Sequence, residues 1–170
     1  FSSTLVEIKT KEITKNSFDV LINIDRGKKT KIKNINFLGN NQISNRRLKD
    51  VIASEEHQFW KVLSKNTNYT SNLLELDTRL LRNFYKSSGF YDIKINSKFA
   101  KINNFDEAEL TFSIDEGTRY TINKISTNVE TVFDKSLFFP MKKIYEKYIG
   151  EYYSPFKVKK ILDDLDRLID

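Results

Sequence analysis

Side chains suited to acid–base or nucleophilic chemistry are sparse in this sequence. Its 170 residues include no cysteine and a single histidine, His57. A lone histidine without a second histidine, a cysteine or a suitably spaced carboxylate completes neither a zinc site nor a nucleophile–base pair. The lack of cysteine also removes disulfides and thiolate chemistry. We therefore predict no metal site and no cofactor, and we expect His57 to be a surface residue.

Adjacent carboxylates occur at several places, such as Asp115 with Glu116 and Glu55 with Glu56. Neighbouring residues of a strand point to opposite faces, so such a pair cannot act together on one substrate. The sequence also carries no glycine-rich phosphate loop. We find no catalytic pattern, and the sequence therefore does not predict an enzyme.

Two aromatic residues, Phe59 and Trp60, lie beside His57 in a connector at residues 55–68. They allow two interpretations, a ligand site or a pair of rings that closes the open end of a small core. We favour the second, because His57 has no companion for a ligand set.

The charge balance suggests an anionic partner, but its distribution does not. There are 29 basic and 23 acidic residues, giving a net charge of +6 and a pI near 9.3. Most lysines alternate with apolar residues or accompany acidic ones, as solvated surfaces do, and the densest cluster is Lys28, Lys29, Lys31 and Lys33. Nucleic-acid binding by a sheet needs exposed aromatic residues. Phe37 and Phe112 instead fall on the apolar faces of their strands, so we expect no nucleic-acid partner.

A domain-length repeat organises the chain. Residues 24–35 (IDRGKKTKIKNI) return ninety positions later as residues 114–125 (IDEGTRYTINKI), with Ile, Asp, Gly, Ile and Ile at the same spacings. This period exceeds the roughly 20 to 50 residues of a solenoid repeat, so it predicts tandem small domains. We place the units at residues 1–27, 28–117 and 118–170, of which only the middle one is complete.

The middle unit has the pattern strand, helix, helix, strand, strand. Strands are predicted at residues 31–38, from 91 to about 100, and at 108–115, with apolar residues at alternate positions. A first helix begins after Ser44, and a second runs from Thr70 to about Ser88, where Gly89 ends it. The first helix carries the stripe Leu48, Val51 and Ile52; the second carries Leu73, Leu76, Leu80 and Phe84, flanked by Leu74, Leu81 and Tyr85. We predict an α+β fold, in which two antiparallel helices cover one face of a three-stranded mixed sheet with the third strand in the middle.

Several of these segments carry a resemblance to a known family. Residues 39–49 (GNNQISNRRLK), 59–64 (FWKVLS), 80–90 (LLRNFYKSSGF) and 114–117 (IDEG) are similar, in order and spacing, to POTRA domains of outer-membrane β-barrel assembly proteins. Residues 31–116 resemble the third domain of such a tandem, and residues 1–26 resemble the last two strands of the second. Residues 120–170 resemble the first strand and both helices of the fourth, with Pro140 expected to interrupt the first of those helices.

The resemblance implies a periplasmic segment of a cell outer membrane protein that is not an enzyme. It also implies two kinds of partner, unfolded outer-membrane β-barrel proteins and accessory lipoproteins of the assembly machine. A first domain, a fifth domain and a C-terminal barrel in the membrane are expected to lie outside this sequence. A related POTRA-bearing transporter or translocation-assembly protein is the alternative.

The predicted second strand is an exposed edge of the sheet. Its free N–H and C=O groups can accept an extended peptide as an added strand, with little dependence on sequence. The resemblance implies the same edge, and the candidate docking residues are Ile93, Lys94, Ile95, Asn96, Ser97, Lys98 and Phe99. Lys94 and Lys98 are equally typical of edge protection against aggregation. Gly27 and Gly117, at the short junctions between units, are candidate hinges or plain tight turns.

Overall fold

A computed structural model describes residues 5–15, 17–25, 29–58, 66–102, 106–128 and 134–169. Nine named elements follow one another along these residues, and a short 3-10 helix, Lys135–Phe138, precedes the third α-helix. In chain order they are β1 (Leu5–Thr14), β2 (Ser17–Asp25), β3 (Lys31–Leu38), α1 (Asn45–Lys49), α2 (Ser71–Ser87), β4 (Lys94–Ile102), β5 (Glu107–Asp115), α3 (Phe139–Tyr148) and α4 (Pro155–Ile169).

The complete unit is built on a three-stranded sheet in the order β3, β5, β4. β5 runs parallel to β3, with Phe37 opposite Phe112, and antiparallel to β4, with Ile95 opposite Ile114. The predicted mixed sheet, with its third strand in the middle, is therefore confirmed.

Alternation along β5 explains why one face of this sheet is buried. Ala108, Leu110, Phe112 and Ile114 are buried, whereas the residues between them are exposed or half-buried. The rings of Phe37 and Phe112 stack with their centroids 5.6 Å apart. Leu48 of α1, Ile52 just after α1, and Leu81 and Tyr85 of α2 complete the same core. This helix-covered face leaves the opposite face of the sheet to polar side chains.

Ser44 caps α1 as predicted, and Thr70, the predicted start of the second helix, is the N-cap of α2. The Ser44 hydroxyl accepts from the Arg47 N–H at 3.4 Å, and the Thr70 hydroxyl accepts from the Leu73 N–H at 3.1 Å. α1 is shorter than its apolar stripe suggested. It ends at Lys49, and the N–H groups of Val51 and Ile52 turn back to the carbonyl of Leu48.

The buried stripe of α2 is also rotated from the predicted row. Asp77, Leu81 and Tyr85 are its buried residues, while Leu76 and Leu80 are only half-buried. The apolar residues of the sequence occupy a wide sector of this helix, and packing against the sheet determines which of them are buried.

The two outer units agree only partly with expectation. β1 and β2 form the expected antiparallel pair of strands, with Val6 opposite Ile24. Pro140 lies in the first turn of α3 and does not interrupt a helix, which corrects the prediction, because proline fits the first turn, where its missing N–H has no partner to lose. Pro155 opens α4, a position that favours proline.

The first strand that the resemblance implies for the last unit does not form at residues 120–125. Among the described residues, this segment makes only an isolated bridge, Thr121 with Tyr152, in the turn between α3 and α4. There Ile122 donates to the Glu151 carbonyl and accepts from Gly150, both at 2.8 Å. Ile122, Tyr148 and Ile161 form the small core of this last unit. Within the described ranges, no helix combines the length and apolar character required to cross a bilayer.

Candidate functional site

β4 is the outermost strand of the sheet on its side, as the docking prediction requires. Lys94 to Phe99 lie within it, whereas Ile93 directly precedes it. The Ile93 and Ile95 side chains are buried under the helices, Ser97 is half-buried, and Lys94, Asn96 and Lys98 are exposed. For Phe99 only the backbone is described.

The register of the sheet shows which β4 residues direct their backbone outward. A Cβ built on Gly39, just after β3, would overlap the Ile114 carbonyl oxygen, so that oxygen faces the β3 side of β5. Ile114 therefore bonds toward β3, and its partner Ile95 belongs to a non-hydrogen-bonded pair of β4 and β5. Because this pattern alternates, the N–H and C=O groups of Ile95, Ser97 and Phe99 point away from the sheet.

The opposite edge of the sheet is partly occupied by its own chain. The Ile32 N–H donates to the Thr67 carbonyl at 2.8 Å, and the Ile32 carbonyl accepts from the His57 N–H at 2.6 Å. Further along, the Ile35 N–H donates to a Glu56 carboxylate oxygen at 3.0 Å. β3 therefore offers far fewer free groups to an incoming strand than β4.

Ion pairs on the solvent face of the sheet involve side chains of all three strands. Lys94 lies 4.0 Å from Asp115, and both side chains are largely exposed. Lys33 of β3 pairs with Glu107 of β5 at 2.7 Å, toward the β3 edge of the sheet. Exposed pairs of this kind contribute at most about 1 kcal/mol. The exposed side chains of Lys94 and Lys98 fit a docking edge and protection of the edge against aggregation equally well.

Only one of the two candidate hinges lies among the described residues. Gly27 lies outside the described residues, as does Lys28 of the basic cluster. Gly117 has a φ of +62°, a conformation that favours glycine. A Cβ there would sit 3.4 Å from the Asp92 Cβ, which is ordinary contact. A hinge at Gly117 stays a prediction.

The residues considered for chemistry have structural surroundings. The His57 side chain is exposed, which confirms a surface residue, whereas Phe59 and Trp60 lie outside the described residues. Asp115 is exposed and Glu116 buried, as expected for neighbours on opposite faces. Among the residues that the structure describes, no three histidine or carboxylate side chains group as metal ligands do.

Sequence reasoning missed the part played by Glu116. Its carboxylate accepts from the Gln42 N–H at 3.0 Å and from the Tyr85 hydroxyl at 3.1 Å, linking the turn after β3 to α2. Burial and this hydrogen bond raise the pKa of Tyr85. The internal repeat could not reveal the role, because arginine occupies the equivalent position 26.

Comparison with known proteins gives this fold a family. A model of the POTRA family, described as a surface antigen variable number repeat, matches residues 30–117. The chain therefore belongs to the POTRA family. A crystal structure of Haemophilus influenzae BamA POTRA3-5 is similar to this chain over 98% of this chain and 62% of that chain, with a TM-score of 0.54. At 15% identity that likeness concerns the fold alone.

Curated relatives carry the name outer membrane protein assembly factor BamA. The protein of Neorickettsia risticii is 32% identical over 123 residues, which are 72% of this chain and 16% of the relative. That of Buchnera aphidicola is 28% identical over 160 residues, which are 91% of this chain and 25% of the relative. The chain thus spans a quarter or less of the length of these two relatives.

Proposed function

We propose that this chain is a periplasmic, non-enzymatic segment of an outer-membrane β-barrel assembly protein, and that it holds unfolded barrel precursors by strand addition at β4. Accessory lipoproteins of the assembly machine are proposed as further partners of the same segment. The family and the names of the curated relatives support the assembly role.

The contrast between the two sheet edges carries the proposal. Three outward groups of β3, the N–H and C=O of Ile32 and the N–H of Ile35, are bonded to the chain's own residues Glu56, His57 and Thr67. β4 is the terminal strand, and its residues Ile95, Ser97 and Phe99 are directed outward. Main-chain hydrogen bonds would supply the affinity, because every polypeptide has these groups whatever its sequence. A site of this kind suits clients that differ in sequence but share extended strands.

Peptides copied from strands of outer-membrane barrels test the proposal by NMR titration of the full chain. We expect perturbed amide resonances along residues 93–100. Perturbation confined to α1 and α2, or none at millimolar peptide, would reject the edge as the docking site.

Ser97 allows a sharper version of the titration. Ser97→Pro removes one outward N–H without removing a bond to β5, and proline is tolerated on edge strands when its N–H side faces solvent. Ser97→Ala is the matched control, since it changes the side chain and keeps the N–H. We expect Ser97→Pro to abolish the perturbation and Ser97→Ala to keep it. Equal binding by both variants would contradict main-chain recognition at this position.

A further inference from the structure

The junction between the complete unit and the last unit is bridged by backbone hydrogen bonds. The Tyr120 N–H donates to the carbonyl of Gly89, at the end of α2, at 2.8 Å. The Tyr120 carbonyl in turn accepts from the Tyr153 N–H at 2.9 Å, at the start of α4. One residue of the junction therefore links the last turn of α2 to the helix pair of the next unit.

Arg119 adds a side chain that touches both units. Its guanidinium carbon lies 3.3 Å from the ring centroid of Tyr152, in the last unit, and 5.3 Å from that of Phe90, in the complete unit. Its Nε donates to the Ser88 carbonyl at 2.9 Å. A cation is favoured both on aromatic faces and at the carbonyl end of a helix. Arg119 thus combines three attractions at one point.

Gly89 permits this close approach. It is buried, with a φ of +99°. A Cβ at this position would lie 3.1 Å from both the Arg119 Cγ and the Tyr120 carbonyl oxygen, and 3.2 Å from the Tyr152 Cβ. The glycine that ends α2 is therefore also the surface on which the following unit rests.

A second group of contacts flanks the first. The rings of Tyr91 and Tyr153 meet edge to face with centroids 5.6 Å apart. The Tyr120 hydroxyl donates to the Asp92 carboxylate at 2.7 Å. Both contacts join the residues just before β4 to the last unit, so they oppose rotation about the Arg119 stack.

We infer that Arg119 is a latch that holds the joint after Gly117 in one orientation, with Phe90 and Tyr152 as its two faces. Gly117 can act as a hinge only when this latch is open. Because β4 begins two residues after Asp92, the latch also fixes the direction of the β4 edge relative to the next unit. The inference does not depend on whether β4 binds a strand.

Distance measurements between the units test the latch on the full chain. The sequence has no cysteine, so spin labels attached through Glu75→Cys on α2 and Asp166→Cys on α4, both exposed positions, are unique. We expect a narrow distance distribution from double electron–electron resonance in the chain with native Arg119. In Arg119→Ala we expect a broad one, because losing a stacked cation changes the closed-to-open ratio by roughly five- to thirtyfold.

Matched variants separate the latch from unrelated effects. Arg79→Ala removes an exposed arginine of α2, and Tyr152→Phe keeps the ring, so both should keep the narrow distribution. Tyr152→Leu removes one face of the stack and should broaden the distance distribution while Arg119 is intact. This variant provides the test if Arg119→Ala perturbs the amide resonances of the core. A narrow distribution in Arg119→Ala and in Tyr152→Leu would overturn the latch. A broad distribution with native Arg119 would overturn it as well.

Discussion

Gly39→Ala tests how closely the turn after β3 packs against the central strand. Gly39 has a φ of +82°, and a Cβ there would lie well inside 3.0 Å of the Ile114 carbonyl oxygen. The left-handed backbone alone costs an L-residue about 1–2 kcal/mol. Relieving an overlap with the backbone of β5 adds the roughly 1–3 kcal/mol typical of overpacking. We therefore expect Gly39→Ala to lose about 2–5 kcal/mol of unfolding free energy.

Gly150 provides a matched control for the backbone term. Its φ is +87°, and a Cβ there would have no neighbouring atom within 4 Å. Gly150→Ala should therefore cost only about 1–2 kcal/mol. Because the two glycines lie in different units, the free energy of opening is measured by amide hydrogen exchange at Phe112 for Gly39 and at Ile161 for Gly150.

The comparison of the two losses decides between the explanations. A clearly larger loss for Gly39→Ala supports close approach of the turn to Ile114. Equal losses would mean that backbone conformation accounts for both glycines, and the packing argument would be wrong. A Gly39→Ala chain as stable as the native one would refute both terms.

Two further predictions concern the core of the complete unit. Leu81→Ala should lose roughly 2–5 kcal/mol of unfolding free energy, because Leu81 is fully buried, and Leu80→Ala should lose less, because Leu80 is half-buried. Urea denaturation measures both losses. An unchanged midpoint for Leu81→Ala, or a larger loss for Leu80→Ala, would show that the buried stripe is misplaced. Burial raises the pKa of the Asp77 carboxyl despite the amide hydrogen bonds from Ala53 and Ser54. The contribution of Asp77 to the stability of the folded chain is therefore fully present below the ordinary pKa of 3.8 and is lost as pH rises through the raised pKa. Asp77→Asn keeps an acceptor for these amides and should gain stability relative to the native chain as pH rises from below 3.8 toward neutrality; a difference that is constant with pH would contradict this.

Local sequence signals were sufficient for the sheet and for the helix starts. Alternation from Ala108 to Ile114 gives β5 directly, because a half-buried strand must alternate. Ser44 and Thr70 mark helix starts through side-chain oxygens that act within three residues. Each of these signals involves residues that are close together in the chain, so it can be recognised in one sequence without knowledge of the fold.

The parts that failed depend on contacts distant in sequence. Residues 120–125 have the pattern of a strand, yet the part of the chain that the structure describes gives them only an isolated bridge, Thr121 with Tyr152, in the turn between α3 and α4. Pro140 marked a boundary, but whether proline interrupts or begins a helix depends on where the preceding turn ends. The Arg119 stack joins side chains from three segments, and no spacing in the sequence announces it.

The candidate edge was predictable only in part. Alternation places β4 in the sheet, and the order of elements makes it an edge. The outward direction of Ile95, Ser97 and Phe99 required the register with β5, and the closure of the β3 edge required the positions of Glu56, His57 and Thr67. Register is a long-range property, because a shift of one residue would exchange inward and outward groups.

Amide hydrogen exchange along β4, with and without a barrel-strand peptide, tests the central claim most directly. Strand addition predicts slower exchange at Ile95, Ser97 and Phe99, whose N–H groups gain partners. It predicts little change at Lys94, Asn96 and Lys98, whose N–H groups already bond to β5. Uniform slowing along the strand, slowing at the second set alone, or no change at saturating peptide would contradict docking at this edge.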